Sequence, residues 1–294
     1  MRPNFTSLFL FSKPNNLGFH HHPQSNSKSQ LHEHVQSRRD TITSLTTTSL
    51  IFTSTLSRAE NSYAITSSEA ETSYNQYAKT YDDLDGGSIA DSLGIEESRI
   101  KLIKQARGNV LEVAVGTGLN LNKYKFASSS EAMDGVTSLT LLDISDGMLS
   151  EAKMKLATID VPSYVDVRFI KADATSSDVT RMFGESSFDT VLDTFSLCVM
   201  GNIGAKNCLG QMHNVVKNEA DGGSILLIEN SRSSNAILGW YQDLTAEAAA
   251  KVGGKGCVSN QNVRSFIEGI NGLQVKTEEE FASGLFRTFV CVKP

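Results

Sequence analysis

An apolar run ends in two closely spaced glycines in the segment Val-Leu-Glu-Val-Ala-Val-Gly-Thr-Gly, residues 110–118. Because glycine lacks a Cβ, Gly116 and Gly118 can adopt left-handed backbone angles and let a ligand approach the main chain. A buried strand, a glycine turn and a following helix form a common binding unit for nucleotide-like cofactors. The segment therefore predicts a cofactor site, and its departures from the usual patterns indicate which cofactor.

Two carboxylates follow later apolar runs in the same way. Asp143 ends one run and Asp173 follows the next, with Ile144 and Ala174 directly behind them. Ligands of open α/β sheets bind at the carboxyl ends of the strands, so we expect these residues beside the glycine turn. A carboxylate at Asp143 can accept both hydroxyl hydrogens of a ribose, and Asp173 can meet the exocyclic amine of an adenine.

The identity of the cofactor follows from what the glycine turn lacks. A dinucleotide site needs a third glycine where this chain has Leu121, and no phosphate-binding Gly-x-x-x-x-Gly-Lys-Ser/Thr loop is present. Glu112, inside the apolar run, would repel a pyrophosphate but suits a positively charged ligand. S-adenosylmethionine carries an ammonium, a sulfonium, a ribose and an adenine and no phosphate, and it is the predicted cofactor.

These segments resemble the motifs of the class I, Rossmann-like S-adenosylmethionine-dependent methyltransferases. Residues 110–118 resemble the first motif, Leu-Leu-Asp-Ile-Ser-Asp-Gly-Met-Leu at 141–149 the second, and Phe-Ile-Lys-Ala-Asp-Ala at 169–174 the adenine-contacting segment. The helix predicted over 74–82 is similar to that of the ubiquinone/menaquinone methyltransferases. Asp-Thr-Phe-Ser-Leu-Cys at 193–198 looks more like the methyltransferase-like proteins that act on small thiols. The resemblance covers roughly residues 70–294.

The resemblance implies further roles. Glu112 would lie near the ammonium of the cofactor, Gly116 and Gly118 would line its methionine part, and Thr194 would lie where the transferred methyl group points. Ala114 stands where the family usually has glycine and resists positive φ, so we expect binding to be retained but weakened. Other interpretations stay open: Glu112 as a buried structural carboxylate, and Thr194 as an ordinary loop residue.

The expected reaction is a direct in-line attack of the acceptor on the sulfonium methyl group. It needs no enzyme nucleophile, so Cys198 has no predicted covalent role. No general base is assigned, because His213, the only histidine in the predicted folded region, lies in the middle of a predicted helix. Tyr77 and Tyr81 could close over the site or simply pack as one face of a helix.

The leading hypothesis is methyl transfer to a small molecule, a quinone, phenol or thiol, in an organelle. One alternative is a non-catalytic methyltransferase-fold protein that serves as an assembly or membrane-associated factor. A nicotinamide-dependent oxidoreductase is a further alternative, against which Leu121 argues.

Charge and composition limit the partners. Of 27 basic and 33 acidic residues, residues 1–59 hold six and two, which leaves 21 basic and 31 acidic residues in the remainder. A nucleic-acid partner is therefore not expected, since it needs a clustered basic surface. The sequence has no run of about 18 apolar residues, so we expect no transmembrane helix. Peripheral membrane association is compatible with the sequence. The four cysteines form no Cys-x-x-Cys pair, so we expect buried thiols and no metal site.

Residues 1–64 have the composition of a targeting segment. They are rich in serine and threonine, basic and almost free of acidic residues. Arg38-Arg39 before the mildly apolar stretch 42–56 resembles a thylakoid-transfer signal. We therefore expect a chloroplast protein, with a mitochondrial presequence as the alternative, and a single methyltransferase domain over 65–294.

The pattern of apolar runs predicts an α/β fold. It is a doubly wound, mostly parallel seven-stranded sheet with an antiparallel edge hairpin at the C-terminus. The predicted strands are Val110–Val115, Leu139–Asp143, Val167–Lys171, Thr190–Asp193, Ser224–Glu229, Leu273–Lys276 and Thr288–Val292. The predicted helices are Tyr74–Asp82, Ser88–Ala106, Gly147–Ala157, Ala205–Asn218, Ala236–Val252 and Asn260–Gly269.

Overall fold

A single mixed sheet organises the protein. The computed structural model describes residues 65–82, 92–251 and 256–294. The strands are β1 (Gly108–Val113), β2 (Val136–Asp143), β3 (Asp166–Lys171), β4 (Thr190–Thr194), β5 (Ser224–Asn230), β6 (Gln274–Phe281) and β7 (Phe286–Val292). Their order is β3-β2-β1-β4-β5-β7-β6. Strands β1 to β5 pair in parallel, and β7 is antiparallel to β5 and β6. The predicted fold class is confirmed.

Burial along each strand follows its place in the sheet. The inner strands β1, β2, β4 and β5 are buried over most of their length, as expected for strands covered on both faces. In the outermost strands β3 and β6, every residue is either exposed or half-buried. Edge strand β6 carries consecutive glutamates at 278–280, and such charges discourage pairing with another chain.

Helices cover both faces of the sheet. The helices are α1 (Ser67–Tyr77), α2 (Ile95–Ile103), α3 (Asp146–Leu156), α4 (Asp178–Phe183), α5 (Leu197–Val215), α6 (Ala236–Lys251) and α7 (Val263–Glu268). Consecutive residues of β1 point to opposite faces of the sheet. Val110 packs in a core with side chains of α2 and α3, and Leu111 packs in a second core with side chains of α4, α5 and α7.

Three helices differ from the sequence prediction. Helix α1 begins well before the predicted Tyr74, because Thr66 and Glu69 form a reciprocal capping box at its start. Helix α5 begins at Leu197 rather than Ala205, and Gly201 interrupts it with a φ of 65° and a ψ of 178°. The short helix α4 was not predicted, since six residues carry little periodicity.

Some predictions lie outside the described residues. These are the targeting segment up to residue 64 and the first four residues, 88–91, of the helix predicted over Ser88–Ala106. Within the described ranges, no helix combines the length and the apolar character that a membrane crossing requires.

The carboxyl ends of the parallel strands meet at one edge of the sheet. Strand β1 is hydrogen-bonded to β2 on one side and to β4 on the other. The chain therefore runs outward through β2 and β3 in one direction and through β4 and β5 in the other. Such a reversal of strand order opens a crevice in which doubly wound proteins bind their ligands.

Candidate functional site

A cavity of about 340 Å³ opens at the carboxyl ends of β1, β2, β3 and β4. Most of the residues predicted from the sequence to bind a cofactor meet there. Seven of the nine line the cavity, namely Ala114, Gly116, Asp143, Ile144, Asp173, Ala174 and Thr194. Four separate stretches of sequence thus contribute to one site.

Glu112 and Gly118 do not line the cavity. Gly118 is instead packed against the interior: with a φ of 79°, an added Cβ would lie 2.5 Å from the Leu121 side chain and 3.3 Å from the Ala152 Cα. Gly116, with a φ of 57°, has open space where a Cβ would be. The two glycines of the turn therefore serve different needs, close packing at one and ligand access at the other.

Asp143 is held in place by main-chain amides. Its Oδ2 accepts a hydrogen bond from the Gly116 amide and its Oδ1 from the Ser145 amide, both at 2.8 Å. Burial raises the pKa of this carboxyl to about 6, against the opposing effect of these amides. A carboxylate offers about four acceptor positions, so each oxygen retains capacity for a ligand hydroxyl.

Asp173 connects the third strand to helix α1. Its Oδ1 accepts hydrogen bonds from the Thr175 amide at 2.8 Å and the Thr175 hydroxyl at 2.7 Å. Its Oδ2 accepts from the Ser67 hydroxyl at 2.6 Å. The start of α1 therefore lies over the end of the cavity nearest β3.

Residues 65–82 form a roof that is bound to the ends of all three strands on this side. Besides Ser67, Asn75 Oδ1 accepts from the Ser145 hydroxyl at 2.7 Å and from the Gly147 amide at 2.8 Å. Asp82 accepts from Thr117 in the glycine turn at 2.5 Å and pairs with Lys155 at 2.6 Å. These ties fix the roof across the cavity.

The roof tyrosines differ from the prediction in part. Tyr81 lines the cavity, as one of the two interpretations had it, whereas Tyr77 does not. Tyr74, one turn earlier on α1, lines the cavity in its place. The helix starts earlier than predicted and is followed by a short 3₁₀ turn at Ala78–Thr80, which shifts the face that reaches the site.

Backbone strain is concentrated at the ends of β1 and β4. Ala114 has a φ of 50° and Phe195 a φ of 62°. Both line the cavity. Left-handed angles at residues with a Cβ cost free energy and persist where the surroundings enforce them, often at functional sites.

A buried polar network lies behind this strained part of the cavity. Arg99 Nη1 donates to Asn120 Oδ1 at 2.7 Å, and Asn120 Nδ2 donates to Glu112 Oε1 at 2.7 Å and to Thr194 Oγ1 at 3.1 Å. The Tyr124 hydroxyl donates to Glu112 Oε2 at 2.6 Å. All five side chains except that of Thr194 are buried in the protein interior.

The charges of this network influence each other. Burial raises the pKa of Glu112 to about 7, although Tyr124, Asn120 and Arg99 all favour its ionised form. Burial lowers the pKa of Arg99, and Glu96 and Glu112 oppose that shift. Glu112 thus fits the interpretation as a buried structural carboxylate, while the ammonium role stays a prediction.

Comparisons with known proteins agree with this geometry. Residues 110–219 match the protein family described as "Methyltransferase domain". Residues 110–219 of this chain are therefore a methyltransferase domain. The predicted superfamily is confirmed, and S-adenosylmethionine is the cofactor of this superfamily.

Two curated relatives extend the comparison. The ubiquinone/menaquinone biosynthesis C-methyltransferase UbiE of Azotobacter vinelandii is 33% identical over 159 residues, which cover 53% of this chain and 56% of UbiE. The mitochondrial methyltransferase OMS1 of Saccharomyces cerevisiae is 28% identical over 156 residues, 50% of this chain and 30% of OMS1. The chain thus spans about half the length of UbiE and about a third of the length of OMS1.

A solved structure with the same fold is that of magnesium protoporphyrin IX methyltransferase (ChlM) from Synechocystis PCC 6803 with bound S-adenosylhomocysteine. The two chains superpose with a TM-score of 0.52 over 77% of this chain and all of the other, at 13% identity. At this identity the likeness shows the fold of the methyltransferase domain alone.

Apart from two aspartates, the described lining of the cavity carries no charge. Its apolar and aromatic residues, here called the apolar wall, are chiefly Tyr74, Tyr81, Phe195, Val199, Met200 and Ile203. Asp143 and Asp173 are the only charged side chains among the described residues that line the cavity.

Two carboxyl groups lie behind Ser196, which lines the cavity. Asp193 and Glu229 are fully buried. Asp193 Oδ1 accepts from the Ser196 hydroxyl at 2.6 Å and Glu229 Oε1 from the Ser196 amide at 3.1 Å. Their other oxygens meet no donor in the part of the protein described. Burial raises the pKa of both groups, and the charge of Asp193 raises the pKa of Glu229 further.

A disulfide lies beside the part of the cavity wall that the start of α5 forms. Cys198, in the first turn of α5, pairs with Cys257, with Cα atoms 4.7 Å apart. The Val258 amide donates to the Cys198 carbonyl at 2.9 Å. Gly256 packs so closely on Ile65 of the cavity wall that a Cβ would lie 2.8 Å from it.

The prediction of four buried thiols is therefore wrong for Cys198 and Cys257. It describes Cys208 and Cys291, which are buried and free. The paired cysteines are 59 residues apart, a separation that no short spacing motif would indicate.

Proposed function

We propose that the protein transfers the methyl group of S-adenosylmethionine to a small, uncharged and largely apolar acceptor, such as a quinone, phenol or thiol. The observation that carries the proposal is the polarity of the cavity. Both of its charged side chains, Asp143 and Asp173, lie at the ends of β2 and β3, and the rest of its described lining is uncharged.

The order of the strands gives the cofactor an orientation. Asp173, Asp143, Gly116 and Thr194 follow β3, β2, β1 and β4, which are consecutive neighbours in the sheet. A linear ligand with its adenine at Asp173 and its ribose at Asp143 extends its methionine part past Gly116. Its sulfonium methyl group then points toward the apolar wall near Thr194.

The chemistry of that wall limits the acceptor. Among the described residues that line the cavity there is no lysine, arginine or histidine. The two carboxylates of the lining, Asp143 and Asp173, are assigned to the cofactor, so no general base is assigned to the methyl acceptor. In-line attack on the sulfonium carbon breaks the carbon–sulfur bond and leaves S-adenosylhomocysteine, and positioning supplies much of the rate enhancement.

The names of the two relatives support parts of this proposal. UbiE is named for ubiquinone and menaquinone biosynthesis and OMS1 for the mitochondrion. A quinone-like acceptor matches the apolar wall. The organelle is proposed from the composition of residues 1–64, with plastid and mitochondrion as the two destinations, and import into both isolated organelles decides between them.

Titration calorimetry with S-adenosylmethionine tests the site. We expect the wild type to bind and Asp143→Ala to bind at least tenfold more weakly, because charge-assisted hydrogen bonds are worth about 1.5–3 kcal/mol each. The matched control is Asp146→Ala, which removes an exposed carboxylate that pairs with Lys171 outside the cavity. Equal affinity of the wild type and Asp143→Ala, or no binding by either, would contradict the assignment.

The acceptor class is tested with a cofactor that carries an isotopically labelled methyl group. Extract fractions are incubated with the wild type, and labelled products are identified by mass. We expect the label in a small apolar molecule from organelle extracts. Label in charged metabolites alone would contradict the proposed acceptor class, and binding without any transfer would favour the non-catalytic alternative.

A further inference from the structure

The Thr194 hydroxyl group accepts two hydrogen bonds from neighbouring side chains. Its hydroxyl oxygen accepts a bond from Asn120 Nδ2 at 3.1 Å and a longer one from Arg99 Nη1 at 3.4 Å. A threonine hydroxyl has one hydrogen to donate and two acceptor positions. Both acceptor positions are thus in use, while the hydroxyl hydrogen has no acceptor among the residues that the structure describes.

The orientation of the Asn120 amide follows from its neighbours. The two ends of an amide are hard to tell apart by shape, and hydrogen-bond partners decide between them. Arginine can only donate, so the atom 2.7 Å from Arg99 is the Asn120 oxygen. The amide nitrogen then faces Glu112 and Thr194, and both hydrogens of that nitrogen are used.

Thr194 is the point at which this network reaches the cavity. Arg99, Asn120, Glu112 and Tyr124 do not line the cavity, whereas Thr194 does. Since two donors occupy the buried side of its oxygen, the hydroxyl hydrogen is turned away from them. It is directed toward the cavity.

The charged side chain that contacts Thr194 directly is a cation. The Arg99 guanidinium approaches the Thr194 oxygen directly and lies 5.2 Å from the centre of the Phe195 ring. Glu112 reaches Thr194 only through Asn120. The cation is therefore nearer to the hydroxyl than the anion is, and a hydrogen bond to a charged oxygen is about twice as strong as a neutral one.

We propose that Thr194 donates a hydrogen bond to a negatively charged oxygen at the methionine end of the cavity, the end that Ala114, Thr194 and Phe195 line. Asn120 and Arg99 are the positioning residues that fix this donor. The inference rests on the proposed function. The oxygen has two sources of the same chemistry: the carboxylate of the bound cofactor, or a phenolate-type oxygen of the methyl acceptor.

Calorimetry with two ligands distinguishes the sources. The ligands are S-adenosylmethionine and its decarboxylated analogue, and the proteins are the wild type, Thr194→Val and Thr194→Ser. If the cofactor carboxylate is the partner, Thr194→Val binds S-adenosylmethionine about tenfold or more weakly but binds the analogue as the wild type does. If the acceptor is the partner, both affinities are unchanged and labelled-methyl transfer falls about tenfold. Thr194→Ser keeps the hydroxyl and restores the wild-type result in either case.

The positioning role is tested with Asn120→Asp. An aspartate turns the donor into an acceptor, so the Thr194 hydroxyl would point back into the protein and the loss seen with Thr194→Val should be reproduced. Thermal unfolding checks that each variant is folded. Thr140→Val, a buried strand threonine outside the cavity, is the matched control and should bind like the wild type.

Two results would overturn the inference alone. One is wild-type affinity and transfer in Thr194→Val, and the other is an equal loss for both ligands, which indicates a general structural effect. Retained affinity and transfer in Asn120→Asp would remove the positioning role. Failure of the wild type to bind S-adenosylmethionine is a different result, which overturns the proposed function and the inference with it.

Discussion

The two ends of the cavity are built in different ways. At the nucleoside end, Asp143 and Asp173 each accept a hydrogen bond from a backbone amide two residues further along the chain, besides long-range bonds from Gly116 and Ser67. At the methionine end, Thr194 is held by Asn120 and Arg99, which are 74 and 95 residues away. The first end therefore has local turns as well as long-range contacts, whereas the hydrogen bonds of Thr194 form only when distant elements have packed.

The difference extends to strain and charge. The two cavity residues with positive φ that are not glycine, Ala114 and Phe195, lie at the methionine end. The buried carboxyls of Asp193 and Glu229 and the network around Glu112 lie there too. Local turns cost little to form, while buried charges and strained residues require stabilisation from the rest of the fold. The methionine end should therefore be the more sensitive of the two to changes elsewhere in the protein.

The largest expected effect comes from the disulfide that bounds the methionine end. Replacing both partners, Cys198→Ala with Cys257→Ala, should lower the unfolding free energy by about 4 kcal/mol, since the bond closes a loop of 59 residues. Urea unfolding measures this change. Hydrogen exchange should quicken at residues 195–199 more than at residues 143–148.

A reductant provides the control for the disulfide. It should destabilise the wild type but leave the double variant unchanged. If the double variant unfolds at the same urea concentration as the wild type, or if exchange quickens equally at both ends of the cavity, the contrast between the ends does not hold.

How far the sequence predicts the site follows from the same contrast. The glycine turn, Asp143 and Asp173 could be found because each stands at a strand end that apolar patterning marks. The network could not, because Arg99 lies in a helix where its charge resembles that of a solvated surface residue. Glu112 and Thr194 were singled out from the sequence, but their connection through Asn120 and Arg99 depends on the packing of α2 against the sheet.

The fold was predictable in its sheet and less so in its helices. Each strand of the inner sheet is a buried apolar run, and all seven predicted strands are present with shifted ends. The missed features are those with weak periodicity, such as the six residues of α4 and the start of α5 ahead of Gly201. The hydrogen bonds and the ion pair by which Asn75 and Asp82 hold the roof join residues far apart in the chain. No pattern in the sequence indicates them.

The next effect in size concerns the pH dependence of stability at the methionine end. Burial raises the pKa of Glu112 from 4.5 to about 7 in the folded protein, where Arg99, Tyr124, Asn120 and the Asp193 carboxyl face it. Between these pH values the folded protein retains a proton that the unfolded chain has lost. The contribution of Glu112 to the unfolding free energy is therefore fully present below pH 4.5 and falls by about 3 kcal/mol as the pH rises to 7.

Glu112→Gln should flatten this dependence, because glutamine does not titrate. Its oxygen can accept from Asn120, and its amide nitrogen can donate to the Tyr124 hydroxyl oxygen in place of the bond that Glu112 accepts there. Urea unfolding at a series of pH values from 4 to 8 measures the fall in unfolding free energy with pH, part of which should remain because the pKa values of Asp143, Asp193 and Glu229 are also raised. Affinity for S-adenosylmethionine should change less than about threefold, since Glu112 does not line the cavity. A much larger loss of affinity would instead support the ammonium role predicted from the sequence.

The smallest expected effect tests the strain at Ala114. A left-handed angle costs a residue with a Cβ about 1–2 kcal/mol, and glycine avoids this cost but loses about 0.5–1 kcal/mol through the greater freedom of the unfolded chain. Ala114→Gly should therefore stabilise the protein by up to about 1 kcal/mol, a rise of a few degrees in Tm. Ala152→Gly, in the middle of helix α3, is the matched control and should destabilise, because there the alanine is unstrained. If both substitutions lower Tm alike, Ala114 carries no strain, and the methionine end differs from the nucleoside end in its long-range network alone.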